Sequence, residues 1–254
     1  MLHIRTRTEY SFRKAYGPIN NLVEIAGEAM GIADQGTWGH VAFNNVCKKQ
    51  KVKPIFGVEI AVVEDATERT RQTATMMAFI AKNNSGLSEI YELVTKSTDK
   101  GNFYYFPRMS YSDLFDISDN VIILSGTNPE WGLLPLARKD NLYIEINPMS
   151  SRKSLQFCEE KGFKPVATSD NYYPKVGDKK AYEVLVGMNR MERTKPMHLL
   201  NEHELADAVP WMPDEAIENT YKIADMCNVD LPVAQMISFT PEKTLEQMCI
   251  RSEE

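Results

Sequence analysis

The sequence has no apolar run of the roughly 18–20 residues needed to cross a bilayer; Met76–Ala81 is a short apolar segment bounded by polar residues. A membrane role therefore has no support. The cysteines Cys47, Cys158, Cys227 and Cys249 lie far apart without CxxC spacing, and no charged n-region followed by an apolar h-region precedes them. They read as reduced thiols of a cytoplasmic protein. Basic residues are outnumbered, with Lys+Arg 29 against Asp+Glu 35 and a net charge of −6. A free-standing domain that grips nucleic acid through its phosphates needs a basic face, so the composition predicts no strong direct binding by this domain alone. That leaves an indirect role near DNA, or one that uses a local basic patch. Gly36, Gly39 and Gly57 fall at strand ends and turns without a phosphate-loop or dinucleotide fingerprint, and no fixed-period repeat is visible.

What is present is a foldable pattern. With 254 residues and 43% hydrophobic content, the chain suffices for one large α/β barrel or two small domains. Apolar β-branched runs predict strands near Leu2–Thr6, Ile32–Ala33, Ile55–Val63, Thr75–Ala81, Asn120–Leu124, Leu142–Ile146 and Pro165–Thr168. Helical periodicity fills most of the intervals, the pattern of βα units around a parallel sheet. A first helix is expected from Ile19 to Met30, stopped by Gly31. A second is expected to be capped by Asn84 or Ser85 and to carry Leu87, Ile90, Tyr91 and Val94 on its apolar face. A third is expected over Glu215–Cys227 after Pro213. Val63–Thr73 is the clear polar connection of the first half, which favours one domain over two.

Several collinear segments carry a family likeness. Leu2-His3-Ile4-Arg5-Thr6-Arg7-Thr8-Glu9-Tyr10-Ser11, Gly31-Ile32-Ala33-Asp34-Gln35-Gly36-Thr37 and Val52-Lys53-Pro54-Ile55-Phe56-Gly57-Val58-Glu59 are the first three. Ala81-Lys82-Asn83, Tyr104-Tyr105-Phe106-Pro107-Arg108, Leu124-Ser125-Gly126, Pro165-Val166-Ala167-Thr168-Ser169-Asp170 and Glu215-Ala216-Ile217-Glu218-Asn219-Thr220 follow in order. Together they resemble the amino-terminal PHP (polymerase and histidinol phosphatase) domain of bacterial-type replicative DNA polymerase III alpha subunits, including phage-encoded forms. The resemblance implies a distorted (βα)7 barrel over residues 1–231. It also implies that residues 232–254 begin a linker or helix leading toward a polymerase core absent from this sequence.

In active members of that family a cluster of divalent metals, held by histidines, carboxylates and sometimes a cysteine, activates water against a phosphoester. Carried across, the family's H-x-H pair falls on Arg5 and Arg7, and the histidine of its D-H-G turn on Gln35. The next histidine falls on Met76, the cysteine or histidine after Ser-Gly on Thr127, and the final histidine on Tyr172. The matching carboxylates Asp34, Glu59 and Asp170 remain. A guanidinium offers no lone pair and repels a cation, so the resemblance implies a dismantled site with no catalytic residue and no cofactor. Two readings of the acids stay open: bidentate pairing with Arg5 and Arg7, or a residual magnesium or manganese site on Asp34, Glu59 and Asp170.

Other residues carry less. His3 shares a strand with Arg5 and Arg7 and is read as near the site but structural, and His198 and His203 as surface residues. Tyr104-Tyr105-Phe106 with Arg108 reads either as a base-stacking platform or as an apolar loop packed on the barrel. Met76-Met77 reads as core filler. The function the resemblance implies is a non-catalytic scaffold domain of a replicative DNA polymerase, acting in DNA replication. Its partners would be the rest of the polymerase polypeptide and, as a further possibility, a proofreading exonuclease subunit. The alternatives are an active metal-dependent phosphoesterase or 3′–5′ exonuclease, and a free-standing phage interaction module. The whole polymerase would be a nucleotidyltransferase, but this sequence contains no candidate for its catalytic aspartates.

Overall fold

The computed structural model describes residues 1–135, 138, 140–187, 195–231 and 233. Its elements run β1 (His3–Thr6), α1 (Ile19–Glu24), β2 (Ala29–Asp34), α2 (His40–Gln50), β3 (Lys53–Val63), β4 (Thr75–Ala81), α3 (Asn84–Thr98) and β5 (Arg108–Ser110). They continue with β6 (Val121–Leu124), β7 (Leu142–Ile146), α4 (Lys153–Lys161), β8 (Lys164–Ala167), α5 (Lys179–Val186), α6 (Glu202–Ala208) and α7 (Asp214–Met226). The expected tail helix Thr244–Ile250 lies outside the described residues.

One sheet joins the strands in the order β1-β2-β3-β4-β6-β7-β8, with the short β5 beside the far end of β3. The sheet is mixed, where the sequence pattern suggested a parallel one. β4 runs antiparallel to both β3 and β6. The cause is the polar 64–74 connection, which has no crossover helix and so can only return the chain in the opposite direction. Strand alternation separates two faces. Phe56, Val58, Phe79, Ile123 and Ile144 pack beneath helix residues Phe43, Leu87 and Phe157, while Ile55, Ile80, Ile122, Leu124 and Val166 form the opposite cluster.

The described residues show no ladder between β8 and β1, the two ends of the sheet. Helix α7 lies along that seam. Asn219 Nδ2 donates to the Pro165 carbonyl at 2.8 Å and Thr220 Oγ1 to the Ala167 carbonyl at 2.9 Å. Ile223 and Ala224 join Ile4 in one apolar cluster. The result is an α/β fold, a distorted seven-strand barrel left open at one seam and covered there by a helix. No helix among the described residues is long and apolar enough to cross a membrane.

Local departures from the sequence pattern have physical causes. The first helix stops at Glu24, and Met30 and Gly31 belong to β2. A β-carbon on Gly31 would collide with the backbone of Ile4, so this glycine permits close approach of β1 and β2 and is not a helix stop. Helix α3 is capped one residue earlier than expected, by Asn83, whose side chain accepts the Gly86 N–H at 3.0 Å. Its buried face uses Leu87, Ile90 and Leu93, leaving Tyr91 partly exposed. Helix α7 begins after Pro213 as expected, with Ala216, Asn219, Thr220, Ile223 and Ala224 buried.

Candidate functional site

The two arginines at the end of β1 turn into the barrel and meet carboxylates from three other places. Arg5 and Arg7 are both buried, as are Glu59 on β3, Glu145 on β7 and Asp170 in the turn after β8. Arg5 bridges two acids, with Nη2 donating to Glu59 Oε1 and Nη1 to Glu145 Oε2, while Nη2 also reaches the Met76 carbonyl at 3.3 Å. Arg7 grips Glu59 with its planar fork: Nε donates to Oε2 at 3.0 Å and Nη2 to Oε1. This is the bidentate geometry that a guanidinium and a carboxylate share. Arg7 Nη1 then lies 2.6 Å from Asp170 Oδ1 and 3.1 Å from the Asn171 carbonyl.

Around this core the neighbours are fixed in turn. Asn171 exchanges two hydrogen bonds with the Arg7 backbone, accepting its N–H at 3.1 Å and donating to its carbonyl at 3.2 Å. The Arg7 guanidinium lies 4.5 Å from the centre of the Tyr172 ring. Asp170 adopts φ 46, a left-handed backbone that Asp tolerates better than most residues. Glu145 accepts from the Thr168 hydroxyl and, at 3.3 Å, from Asn147 Nδ2, which also donates to Thr127 Oγ1 at 2.7 Å. Gln35 Nε2 lies 3.8 Å from Met76 Sδ. Arg5, Arg7, Glu59, Met76, Thr127, Asp170 and Tyr172 therefore belong to one connected network. Gln35 touches it through Met76.

Asp34 stands apart from the guanidiniums, contrary to the expectation that both arginines would neutralise all three retained acids. It is fully buried and accepts from the Thr8 N–H at 2.7 Å, the Thr8 hydroxyl at 2.6 Å and the Ser11 hydroxyl at 2.5 Å. The loop after β1 wraps back onto it and satisfies it locally, leaving no call for a charged partner.

Electrostatics follow the geometry. Burial by itself would raise the Glu59 carboxyl, but the charges of Arg7 and Arg5 and their hydrogen bonds hold it down at about 2. Burial works against charge on both arginines as well. Glu145 and Glu59 more than offset this for Arg5, and Asp170 and Glu59 for Arg7, so both are raised above the ordinary arginine value. The Asp34 carboxyl is pushed up, chiefly by burial and further by the Glu59 charge, while Ser11 and Thr8 pull it the other way.

The donor set does not suit a metal cluster. Both oxygens of Glu59 are committed to guanidinium N–H groups, and two cations stand among the acids. Among the described residues no three of His, Cys, Asp and Glu converge as metal ligands would. His3 lies 3.4 Å from the Ser169 hydroxyl through Nδ1, and burial and the neighbouring amino terminus depress it to about 4. His40 Nε2 sits 3.0 Å from the Gly57 carbonyl oxygen. His198 is buried rather than at the surface: it stacks on Tyr173 and pairs with Glu204, while His203 is exposed. The buried thiols Cys47, Cys158 and Cys227 are pushed up to about 12 by burial, which disfavours the nucleophilic thiolate.

Sequence reasoning missed Glu145, Asn171 and Thr168. Glu145 had a readable signal, a carboxylate inside the otherwise apolar strand Leu142–Ile146. Asn171 and Thr168 had none beyond proximity to Asp170.

A family model described as the PHP domain matches residues 3–141. DNA polymerase III subunit alpha of Helicobacter pylori is 26% identical over 281 residues, an alignment covering 90% of this chain and 23% of that protein. The subunit of the same description from Deinococcus radiodurans is 27% identical over 287 residues, covering 92% and 21%. The chain thus spans less than a quarter of the length of these curated relatives. A solved structure from Bifidobacterium adolescentis, described as a metal-dependent phosphoesterase, is similar with a TM-score of 0.49 and 11% identity, over 82% of this chain and 94% of that one.

Proposed function

The chain belongs to the PHP domain family, and from that premise we propose that it is a non-catalytic scaffold domain of a replicative DNA polymerase, homologous to the amino-terminal region of DNA polymerase III alpha subunits. In this reading residues 1–231 form the scaffold and residues 232–254 lead toward the polymerase core. The domain braces that core and offers a dock for a proofreading exonuclease.

The observation that carries the proposal is the position of the two guanidiniums. Arg5 and Arg7 lie among Glu59, Glu145 and Asp170, donating to the oxygens of Glu59 and Glu145 and standing at ion-pair distance from Asp170. Ion pairs of this kind supply the positive charge that acids so deeply buried require. A phosphoesterase needs acids free to hold cations and a bound water to activate. Here the acids are already occupied, so the network serves the architecture of the barrel mouth.

Elemental analysis of the purified protein tests this reading. The expected result is well under one equivalent of zinc, manganese or iron per chain, with hydrolysis of p-nitrophenyl phosphate and of a 3′-mismatched primer at background when manganese is added. Two or more tightly held metal ions per chain, or manganese-stimulated hydrolysis, would overturn it.

A further inference from the structure

Away from the barrel mouth, the loop between α3 and β5 turns a run of aromatic rings outward. Tyr105 is 84% exposed, Phe103 42% and Phe106 40%. Tyr105 also has φ 62, a left-handed backbone that disfavours a bulky side chain, so the surrounding structure must hold it there.

The holding group is Arg108. Its guanidinium is buried yet forms no salt bridge among the described residues. Nε donates to the Asn102 carbonyl at 2.9 Å, Nη2 to the carbonyls of Ala66 at 3.0 Å and Glu68 at 2.5 Å, and Nη1 to that of Thr70 at 3.3 Å. One side chain thereby clamps the 64–74 loop to the aromatic loop. Arg69 adds a second tie, donating to the Lys100 carbonyl at 2.9 Å. Above Arg108 the Tyr104 ring lies 5.1 Å from the guanidinium carbon, and the Tyr105 ring meets Tyr104 edge-on at 4.6 Å and 74°. The exposed ring therefore tops a column rooted in a buried cation. Arg108 itself is buried and cannot reach a ligand. The cations at the surface are instead Arg69, Arg71 and Lys100, none of them in an ion pair among the described residues.

We propose that this loop is a stacking platform for single-stranded nucleic acid, with bases laid on Tyr105 and its flanking phenylalanines and phosphates met by Arg69, Arg71 and Lys100. A held, projecting ring beside unpaired cations suits a strand that offers both π faces and negative charge. A docked protein would call for a broad apolar patch, whereas these rings follow the charged Asp99 and Lys100 in the chain and lie beside the polar 64–74 loop. The two loops carry Arg69, Arg71 and Lys100 against Glu64, Asp65, Glu68 and Asp99, so they hold no excess of positive charge. Stacking must then dominate over phosphate attraction, which also reconciles the platform with a chain of net charge −6. The inference is independent of the reading of the barrel mouth.

Fluorescence anisotropy with a labelled oligo-dT of about 20 nucleotides, and with a duplex of the same length, tests it. The single strand should bind at least about tenfold more tightly than the duplex, whose bases are already stacked. Tyr105→Ala should weaken binding about tenfold or more, whereas Tyr105→Phe, which keeps the ring, should not. Combined Arg69→Ala and Lys100→Ala should weaken binding and flatten its salt dependence. Because Tyr105 is exposed, circular dichroism of the variants should match the parent. Absence of any anisotropy change at about 100 μM protein, equal binding of duplex, or indifference to Tyr105→Ala would each overturn the platform.

Discussion

Replacing Arg5 with Met isolates one acid of the buried network. Glu59 would keep Arg7, which bonds both of its oxygens. Glu145 would not be so fortunate: its guanidinium contact is to Arg5, and what remains is the Thr168 hydroxyl and a 3.3 Å contact from Asn147. Its side chain is fully buried, so water cannot take over. Stranding one member of a buried pair costs about 3–5 kcal/mol. Since domains are stable by roughly 5–15 kcal/mol, this is a large share of the total. Adding Glu145→Gln removes the stranded charge while leaving an amide that can still meet Thr168 and Asn147. The double variant should therefore recover to within about 1–2 kcal/mol of the parent, as replacement of whole buried pairs often does. Urea unfolding followed by far-ultraviolet circular dichroism measures all four corners of the cycle, and the melting temperature of the single variant should fall by roughly 10 °C. If Arg5→Met alone costs under about 1 kcal/mol, or the double variant is as damaged as the sum of the singles, the acids are not held by guanidinium charge and the reasoning fails.

Acid titration of stability reads Glu59 directly: a carboxyl lowered from 4.5 to about 2 contributes stability that is complete above pH 4.5 and is lost as pH falls toward 2. That contribution, about 3 kcal/mol by linkage, should be missing from the acid limb of Glu59→Gln. Gly31→Ala forces a β-carbon into the Ile4 backbone and should cost about 3 kcal/mol or more, visible as a lower urea midpoint with unchanged slope. The combined restoration Arg5→His, Arg7→His, Gln35→His, Met76→His, Thr127→Cys and Tyr172→His should let Asp34, Glu59 and Asp170 hold manganese or zinc, detectable by calorimetry, with little or no hydrolysis because supporting contacts are absent. A folded variant that takes up neither metal would mean that these positions do not converge as the family resemblance implies.

The strands were legible because their signal is local. Thr75–Ala81 and Leu142–Ile146 are bounded by sequence as they are bounded in the fold. The helix expected to run to Met30 was not, because the apolar spacing of Ala26 and Met30 fits a helix equally well, and only the approach of β1 shows why Gly31 is needed in a strand. At the site, Arg5, Arg7, Glu59 and Asp170 could be grouped through the family motifs. Glu145 could not, since its role depends on Arg5 140 positions earlier in the chain. Arg108 shows the same limit from the other direction. Its neighbours Tyr104 and Phe106 advertise a surface, while the bonds that bury it go to backbone carbonyls, which no side-chain pattern encodes.

The span of these pairings bears on synthesis. A ribosome adds residues at roughly 5–20 per second and releases the amino terminus first. Glu145 is made 140 residues behind Arg5, and Asn171 164 behind Arg7. Glu59 supplies a first counter-charge 54 residues behind Arg5, but α7, which covers the seam beside β1, is made much later. Closure of that seam is then a late, long-range step, slow for the same reason that non-local topologies fold slowly. During that interval, the growing chain offers chaperones and proteases the unsealed edge of β1.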